Sequence, residues 1–421
     1  MQETNPSDTP KGRGRMNWHG ALRLAFVVSL AIPLGIPLGN CGICTEVPET
    51  ESPDWEMTIV NPNRYLVGRG VAEGPGGDLF VTGYSYQGET RDMALALRRT
   101  EFGNPRWIRH VGMPGLHLEG VALAATPEGG ALIFGNAIPG SDFRAESDYF
   151  LLMMDGDGNT LWQRRFGGAR DDRAVAIAAL ADGYALLGTT NSTGSGGTDM
   201  ELIRIGGDGA VRWARTYGGS ANDDAADLAV TADGGFAMLG ETESFGSGEI
   251  DLYLVKAGAD GEEEWHQSYG FTNYNFAGAL QQTADGGFIL AGNVGPAYLV
   301  KTSADGSREW EQVLGGNGYY NVRAIASGPD GGFVISGSGN TEGEYFSICS
   351  AAFAMEADRD GAHIRTRLFG ELDETNSWRM VPVRDGGYVL AGVARGGFMP
   401  DDDPEDFQSA VYLAKFRAGG E

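Results

Sequence analysis

The stretch Trp213–Gly261, WARTYGGSANDDAADLAVTADGGFAMLGETESFGSGEIDLYLVKAGADG, decides how this chain folds. It divides into four short runs rich in Val, Leu, Ala and aromatic residues, each bounded by Gly, Asp, Asn or Ser, which is the pattern of strands separated by turns. Ala-Asp-Gly joins the second run to the third, and Asp260-Gly261 follows the fourth. Asp-Gly between strand runs signals a tight hairpin, because glycine takes a positive φ at little steric cost.

The unit recurs along the chain. A turn followed by an apolar run and a glycine is read at Pro75–Gly83, Pro127–Gly135, Ala181–Gly188, Ala232–Gly240, Ala284–Gly292, Pro329–Gly337 and Arg384–Gly392. A tryptophan opens a second run at Trp55, Trp107, Trp162, Trp213, Trp265 and Trp310, and Arg365 takes that place in the remaining copy. The period, roughly 52 residues, lies in the range of propeller blades. Four antiparallel strands per period predict an all-β fold, a seven-bladed β-propeller of four-stranded antiparallel blades. A parallel β-helix is also a glycine-rich β repeat, but its coils are shorter and need no hairpins.

Within each unit the second run is alanine-rich (AVAIAAL, GVALAAT, AADLAV), and small side chains suit the crowded strand at a propeller axis. The tryptophan run then belongs at the outer edge. Repeats begin with a tryptophan-type run, Asp54–Val60, and end with Ala410–Phe416, a run of the type that precedes it. The N-terminal strand is therefore expected to close the last blade and remove an open sheet edge. One propeller accounts for residues 54–421.

With Lys and Arg totalling 31 against 57 Asp and Glu, the net charge is -26. No basic stripe appears in the repeats, which argues against nucleic-acid binding, where phosphate contacts need clustered Lys and Arg. The same balance disfavours an anionic membrane surface as partner for the propeller, leaving an N-terminal lipid as the expected membrane contact.

Residues 1–41 read differently. Lys11, Arg13, Arg15 and Arg23 precede or flank the apolar run Leu24–Leu38, which ends in Gly39-Asn40-Cys41, the layout of a secretory signal peptide. Met16 is an alternative start. Pro33, Gly35 and Pro37, with Gly39 directly after, make the run a short and poor membrane helix. Leu38-Gly39-Asn40-Cys41 resembles a bacterial lipobox, departing from it at Asn40, so Cys41 is the expected lipidation site and simple cleavage the alternative. Residues 42–53 form a polar, proline-bearing tether. Cys41 and Cys44 have CxxC spacing without a second pair, which fits a processing site better than a metal site. Cys349 is isolated and expected as a buried thiol.

Candidate binding residues come from the segments that enter each alanine-rich run. Counted from the hairpins, Asp172, Asp223, Asn275, Tyr320 and Thr375 fall at one equivalent position, expected to face the central opening, with Trp378 close by. Such a ring on a rigid scaffold would suit a sugar or a cation, or its Asp and Asn residues cap turns. Asp401, Asp402 and Asp403 are candidate calcium ligands, or a solvated run of like charge. Asp155-Gly156-Asp157-Gly158-Asn159 starts like an EF-hand loop but has Phe166 where the twelfth-position glutamate belongs, so a hairpin turn is expected. The five histidines share no metal-ligand spacing, and GxSxG, HExxH and phosphate-loop motifs are absent. Glu119 and Asp172 would form a glycosidase-like carboxylate pair only if they met across the opening.

The segments Ala232–Trp265 and Ala284–Trp310 resemble the repeats of bacterial extracytoplasmic β-propeller proteins, lipoprotein-like and mostly of unknown function. The resemblance covers residues 54–421 and implies the fold and an exported setting, periplasmic, outer-membrane-anchored or extracellular, with no catalytic residue to carry over. The expected role is a non-enzymatic binding or scaffolding module for an envelope protein or a glycan, without a cofactor. The alternative is a carbohydrate-active hydrolase or lyase using Glu119 and Asp172.

Overall fold

The computed structural model describes residues 53–421 except 62–63, 88–89, 100–104, 141–145, 248, 271–273, 317, 341–350, 371–373, 396–408 and 420–421. The stretch expected to be a signal peptide, Met16, Cys41, Cys44, Cys349 and Asp401 to Asp403 lie outside the described residues.

The chain opens with β1 (Trp55–Ile59). Blade 1 is β2 (Tyr65–Glu73), β3 (Leu79–Gln87), β4 (Thr90–Arg99) and β5 (Pro105–Val111). Blade 2 is β6 (Leu116–Ala125), β7 (Ala131–Pro139), β8 (Asp148–Met154) and β9 (Thr160–Phe166). Blade 3 is β10 (Asp172–Leu180), β11 (Gly183–Thr190), β12 (Asp199–Gly206) and β13 (Val211–Tyr217). Blade 4 is β14 (Asp223–Val230), β15 (Phe236–Thr242), β16 (Asp251–Ala257) and β17 (Glu263–Tyr269). Blade 5 is β18 (Phe276–Gln282), β19 (Phe288–Asn293), β20 (Ala297–Thr302) and β21 (Arg308–Leu314). Blade 6 is β22 (Tyr319–Ser327), β23 (Phe333–Asn340), β24 (Ala351–Ala357) and β25 (His363–Phe369). Blade 7 is β26 (Glu374–Pro382), β27 (Tyr388–Arg395), β28 (Ser409–Phe416) and β1.

The fold is thus the expected seven-bladed propeller, each blade a four-stranded antiparallel sheet. The alanine-rich first strands pack on one another around the ring, and the tryptophan strands lie at the far edges. Closure is also as expected. β1 pairs antiparallel with β28, from Trp55 opposite Lys415 to Ile59 opposite Val411, so the two ends of the repeat region are joined by a strand ladder.

Two repeated contacts explain the sequence landmarks. In the turns before β9, β13, β17, β21 and β25 the glycine of Asp-Gly seats the tryptophan of the preceding blade: a Cβ on Gly209 would lie 2.5 Å from the Trp162 ring, and one on Gly261 2.6 Å from Trp213. Gly158, Gly306 and Gly361 seat Trp107, Trp265 and Trp310 in the same way. These glycines have φ near +80°, which disfavours any side chain for a second reason. In the Asp155 turn, its carboxylate accepts from the Asp157 and Asn159 amides, so the EF-hand-like stretch is the expected hairpin.

The second contact is a buried cation on the third strand that clasps the aspartate of the turn between the first two strands. Lys256 binds Asp233 at 3.0 Å and Glu264 at 3.1 Å, and Lys301 binds Asp285 at 2.9 Å and Glu309 at 3.1 Å. Lys415 with Asp385, Arg98 with Asp78 and Arg204 with Asp182 repeat the arrangement. In blade 6 the charge is inverted: buried Glu356 takes the cation's place, and Arg365 answers it at 2.9 Å. An unpaired carboxylate there would be costly, which is the physical reason that this blade has arginine where the others have tryptophan.

Candidate functional site

The five positions aligned from the hairpins are structurally equivalent. Asp172, Asp223, Asn275 and Tyr320 each donate their backbone N–H to the loop of the preceding blade, to Ser147, Thr198, Ile250 and Gly295 respectively, at 2.7–2.9 Å. Their side chains, however, do not line an opening. All five, Thr375 included, are buried. Asp172 Oδ2 accepts from the Gly168 amide at 2.6 Å and the Ser192 hydroxyl at 3.0 Å, while Oδ1 accepts from the Thr190 hydroxyl. Asp223 repeats this with the Gly219 amide at 2.7 Å, the Ser244 hydroxyl at 2.7 Å and the Thr242 hydroxyl. Asn275 Nδ2 donates to Ile250 O and Asp251 Oδ1. Tyr320 packs edge-on against Phe353, with ring centres 5.0 Å apart. The expectation that this ring faces the central opening is therefore corrected: Asp172, Asp223, Asn275 and Tyr320 pin the loops of one face, and Thr375 is buried at the same position.

Alternation along a strand explains the error. Successive side chains point to opposite faces, so a one-residue change of phase exchanges buried for exposed. One residue further on lie Arg173, Asp224, Phe276 and Asn321, which are exposed, and Asn376, which is half-buried. Glu119 holds this same register position on blade 2 but is buried, opposite Asn136. Glu119 and Asp172 thus occupy different positions of the repeat, and the hydroxyl and amide donors around Asp172 take up its carboxylate oxygens. Thr375, Asn376, Ser377 and Trp378 belong to β26 rather than to the preceding loop.

Every innermost strand carries a bulge at the same place, and the residue skipped by the ladder is Arg69, Val121, Val175, Ala226, Gly278, Arg323 or Trp378. The amide before the bulge turns to the previous blade. Ala174, Ala225 and Ala277 donate to Asn136 Oδ1 at 2.8 Å, Thr189 Oγ1 at 2.9 Å and Glu241 Oε1 at 3.0 Å, which ties blade to blade. Directly after the bulge come Gly70, Ala122, Ala176, Asp227, Ala279, Ala324 and Arg379. Five of these residues are small and buried, and the other two carry charge: Arg379 Nη2 of blade 7 meets Asp227 Oδ1 of blade 4 at 2.9 Å. Asp227 Oδ2 also accepts from the Leu280 amide at 2.9 Å.

Above this bridge the guanidinium of Arg69 lies 4.7 Å from the Trp378 ring centre, and that of Arg323 5.1 Å from it. Burial, together with the like charges of Arg69 and Arg379, makes Arg323 less basic than a free arginine. Burial likewise pushes the Glu241 carboxyl up to about 7, helped by Asp224 and opposed by the Ala277 amide and Arg323. Sequence reasoning proposed Trp378 and missed the arginines. The available signal was a departure from Gly and Ala at equivalent places of the alanine-rich runs.

On the opposite face, a recess of about 860 Å³ runs along the turns of blades 1 to 3, walled by Leu161, Trp162 and Tyr184. Among its charged residues, Arg384 pairs with Glu73, and Asp182 with Arg204 and Arg212. Among the described residues, no group of three His, Cys, Asp or Glu is placed to hold a metal ion. On the loop face, Tyr274 and Phe276 are 48% and 40% exposed and stack with 13° between their planes. The Tyr274 hydroxyl donates to Glu249.

No family model matches the chain. It is 25% identical over 188 residues to the regulatory protein FlaEY of Caulobacter vibrioides, covering 39% of this chain and 19% of that protein, so the chain spans about a fifth of this relative's length. Among solved structures it is similar to the WD40 β-propeller domain of Doa1, at 12% identity and a TM-score of 0.48, covering 84% of this chain and 96% of that one. YCF48 from Cyanidioschyzon merolae gives 9% identity and a TM-score of 0.48 over 87% and 99% of the two chains. A puromycin hydrolase mutant gives 14% and 0.45 over 82% and 61%.

Proposed function

We propose that this chain is a non-enzymatic binding module, exported and held at the cell envelope, that engages a glycan or an envelope protein through its loop face. The observation that carries this reading is the exposed, stacked pair Tyr274 and Phe276, set on blade 5 beside the pinned loops. Aromatic faces supply large contact area at low entropic cost and suit both sugar rings and protein hot spots. The scaffold beneath is one closed ring, and the position that follows the pinning residue differs from blade to blade, exposed as Arg173, Asp224, Phe276 and Asn321 and half-buried as Asn376. That is how a repeat keeps its fold while varying its contacts.

The hydrolase or lyase alternative is supported by less. It needs two carboxylates set either side of one bond. Asp172 is occupied by three protein donors, and Glu119 is buried at a different register position. Export and the lipid rest on Lys11 to Cys41: the basic residues, the apolar run and the lipobox-like Leu38 to Cys41.

The test compares the wild-type chain with Tyr274→Ala/Phe276→Ala for retention on immobilised envelope glycans and on solubilised envelope proteins. The reading expects a partner retained by the wild type and lost by the variant, with unchanged melting temperature. Equal retention by both would remove Tyr274 and Phe276 from the binding surface.

A further inference from the structure

Three guanidiniums, of Arg69, Arg323 and Arg379, gather on the innermost strands of blades 1, 6 and 7 in a chain whose net charge is -26. On three consecutive blades, 6, 7 and 1, the bulge residue is Arg323, Trp378 and Arg69, whereas the other four blades have Val, Val, Ala and Gly there. Arg379 adds a third guanidinium one residue on. The carboxylates that face them are engaged, Asp227 by Arg379 and the Leu280 amide, Glu241 by the Ala277 amide. A guanidinium lying over an aromatic face keeps its N–H groups directed outward in its own plane, where they match the paired oxygens of a carboxylate, phosphate or sulfate. Two donors here are buried and lack an acceptor, Arg69 Nε and Trp378 Nε1. Buried donors are normally paired, and these two come from one cluster at the same level of neighbouring innermost strands.

We propose that Arg69, Arg323 and Trp378 form a binding site for a small oxyanion on the innermost strands of blades 1, 6 and 7. The Arg379–Asp227 bridge forms the floor of this site, so the anion enters from the loop face and stops at that depth. The guanidinium edges of Arg69 and Arg323 and the indole N–H of Trp378 supply its donors. This site is separate from the aromatic pair on blade 5 and stands or falls independently of it.

The test titrates the full chain with inorganic phosphate, sulfate and acetate by calorimetry, at ionic strength held constant with chloride. At least one of the three is expected to bind saturably, and the affinity is expected to fall at least tenfold in Arg69→Met and in Arg323→Met. The three titrations separate phosphate, sulfate and carboxylate as the preferred group. Should either variant fail to fold, phenylglyoxal modification of the wild type is mapped by mass spectrometry, with protection of Arg69 and Arg323 by the bound anion as the expected result. Absence of saturable binding by all three, unchanged binding in the methionine variants, or modification of both arginines at the same rate with and without anion would overturn the proposal.

Discussion

Arg379 on blade 7 and Asp227 on blade 4 sit at equivalent positions of their strands, where the other blades have glycine or alanine, and meet at 2.9 Å. Both are largely withdrawn from water, with side chains 26% and 11% exposed. Removing one partner of such a pair strands the other, so Asp227→Ala is expected to destabilise by about 2–4 kcal/mol. The double variant Asp227→Leu/Arg379→Met should recover most of that loss. Denaturant unfolding of the three proteins checks it; a double variant as unstable as the single would show that the charges matter for another reason.

Glu241 gives the fold a pH dependence. Burial pushes its carboxyl up to about 7 in the folded chain from an ordinary 4.5, so between these pH values the folded state holds the proton that the unfolded state has lost. The contribution of this group to stability therefore falls as pH rises from about 4.5 through 7. Glu241→Gln keeps an oxygen for the Ala277 amide and removes the charge. It should leave stability at pH 4.5 nearly unchanged and raise it at pH 8 by about 1–3 kcal/mol. An equal effect at both pH values would contradict the assignment.

Asp172 and Arg173 are adjacent in sequence and opposite in environment. Asp172→Ala removes the acceptor for two hydroxyls and an amide and should cost about 2–3 kcal/mol. Arg173→Ala, which loses an exposed ion pair with Asp171, should change stability by no more than about 1 kcal/mol. Thermal unfolding of the two variants distinguishes them, and similar losses would be inconsistent with the alternation described.

The fold was legible because its signals are local and repeated. Asp-Gly turns, the glycine under each tryptophan and the alanine-rich strand recur with one period, so blade number, strand order and closure by β1 could all be read from residues 54–421. The site was read one residue out of phase. Turn-counting gives the equivalent position in each copy but not which face of the strand it occupies, and a bulge in every innermost strand disturbs the alternation from which that face would be inferred. Arg379 and Asp227 were hidden for another reason: they are 152 residues apart, and only the ring geometry sets them opposite each other.

Blade 6 offers a test of the charge inversion. Glu356→Ala leaves Arg365 and Arg367 without their buried partner and is expected to destabilise by roughly 2–4 kcal/mol. Glu356→Lys/Arg365→Trp restores the arrangement of blades 4 and 5 and should be clearly more stable than Glu356→Lys alone. If the two Lys variants unfold together, the pairing of charge and tryptophan is not what shapes this blade.

Deletion of residues 54–60 removes the strand that closes blade 7 and exposes the edge of β28. A lower melting temperature and a tendency to self-associate are expected. An unchanged melting temperature would mean that the ring does not depend on this closure.

The most direct measurement of the functional account combines binding and turnover in one experiment. The full chain is titrated calorimetrically with a panel of envelope polysaccharides and purified envelope proteins, and the polysaccharide mixtures are then assayed for new reducing or unsaturated ends. The account expects saturable binding of one partner, weakened at least tenfold in Tyr274→Ala/Phe276→Ala, with no new ends formed. New ends that disappear in Glu119→Gln or Asp172→Asn would contradict it and establish the carboxylates as catalytic.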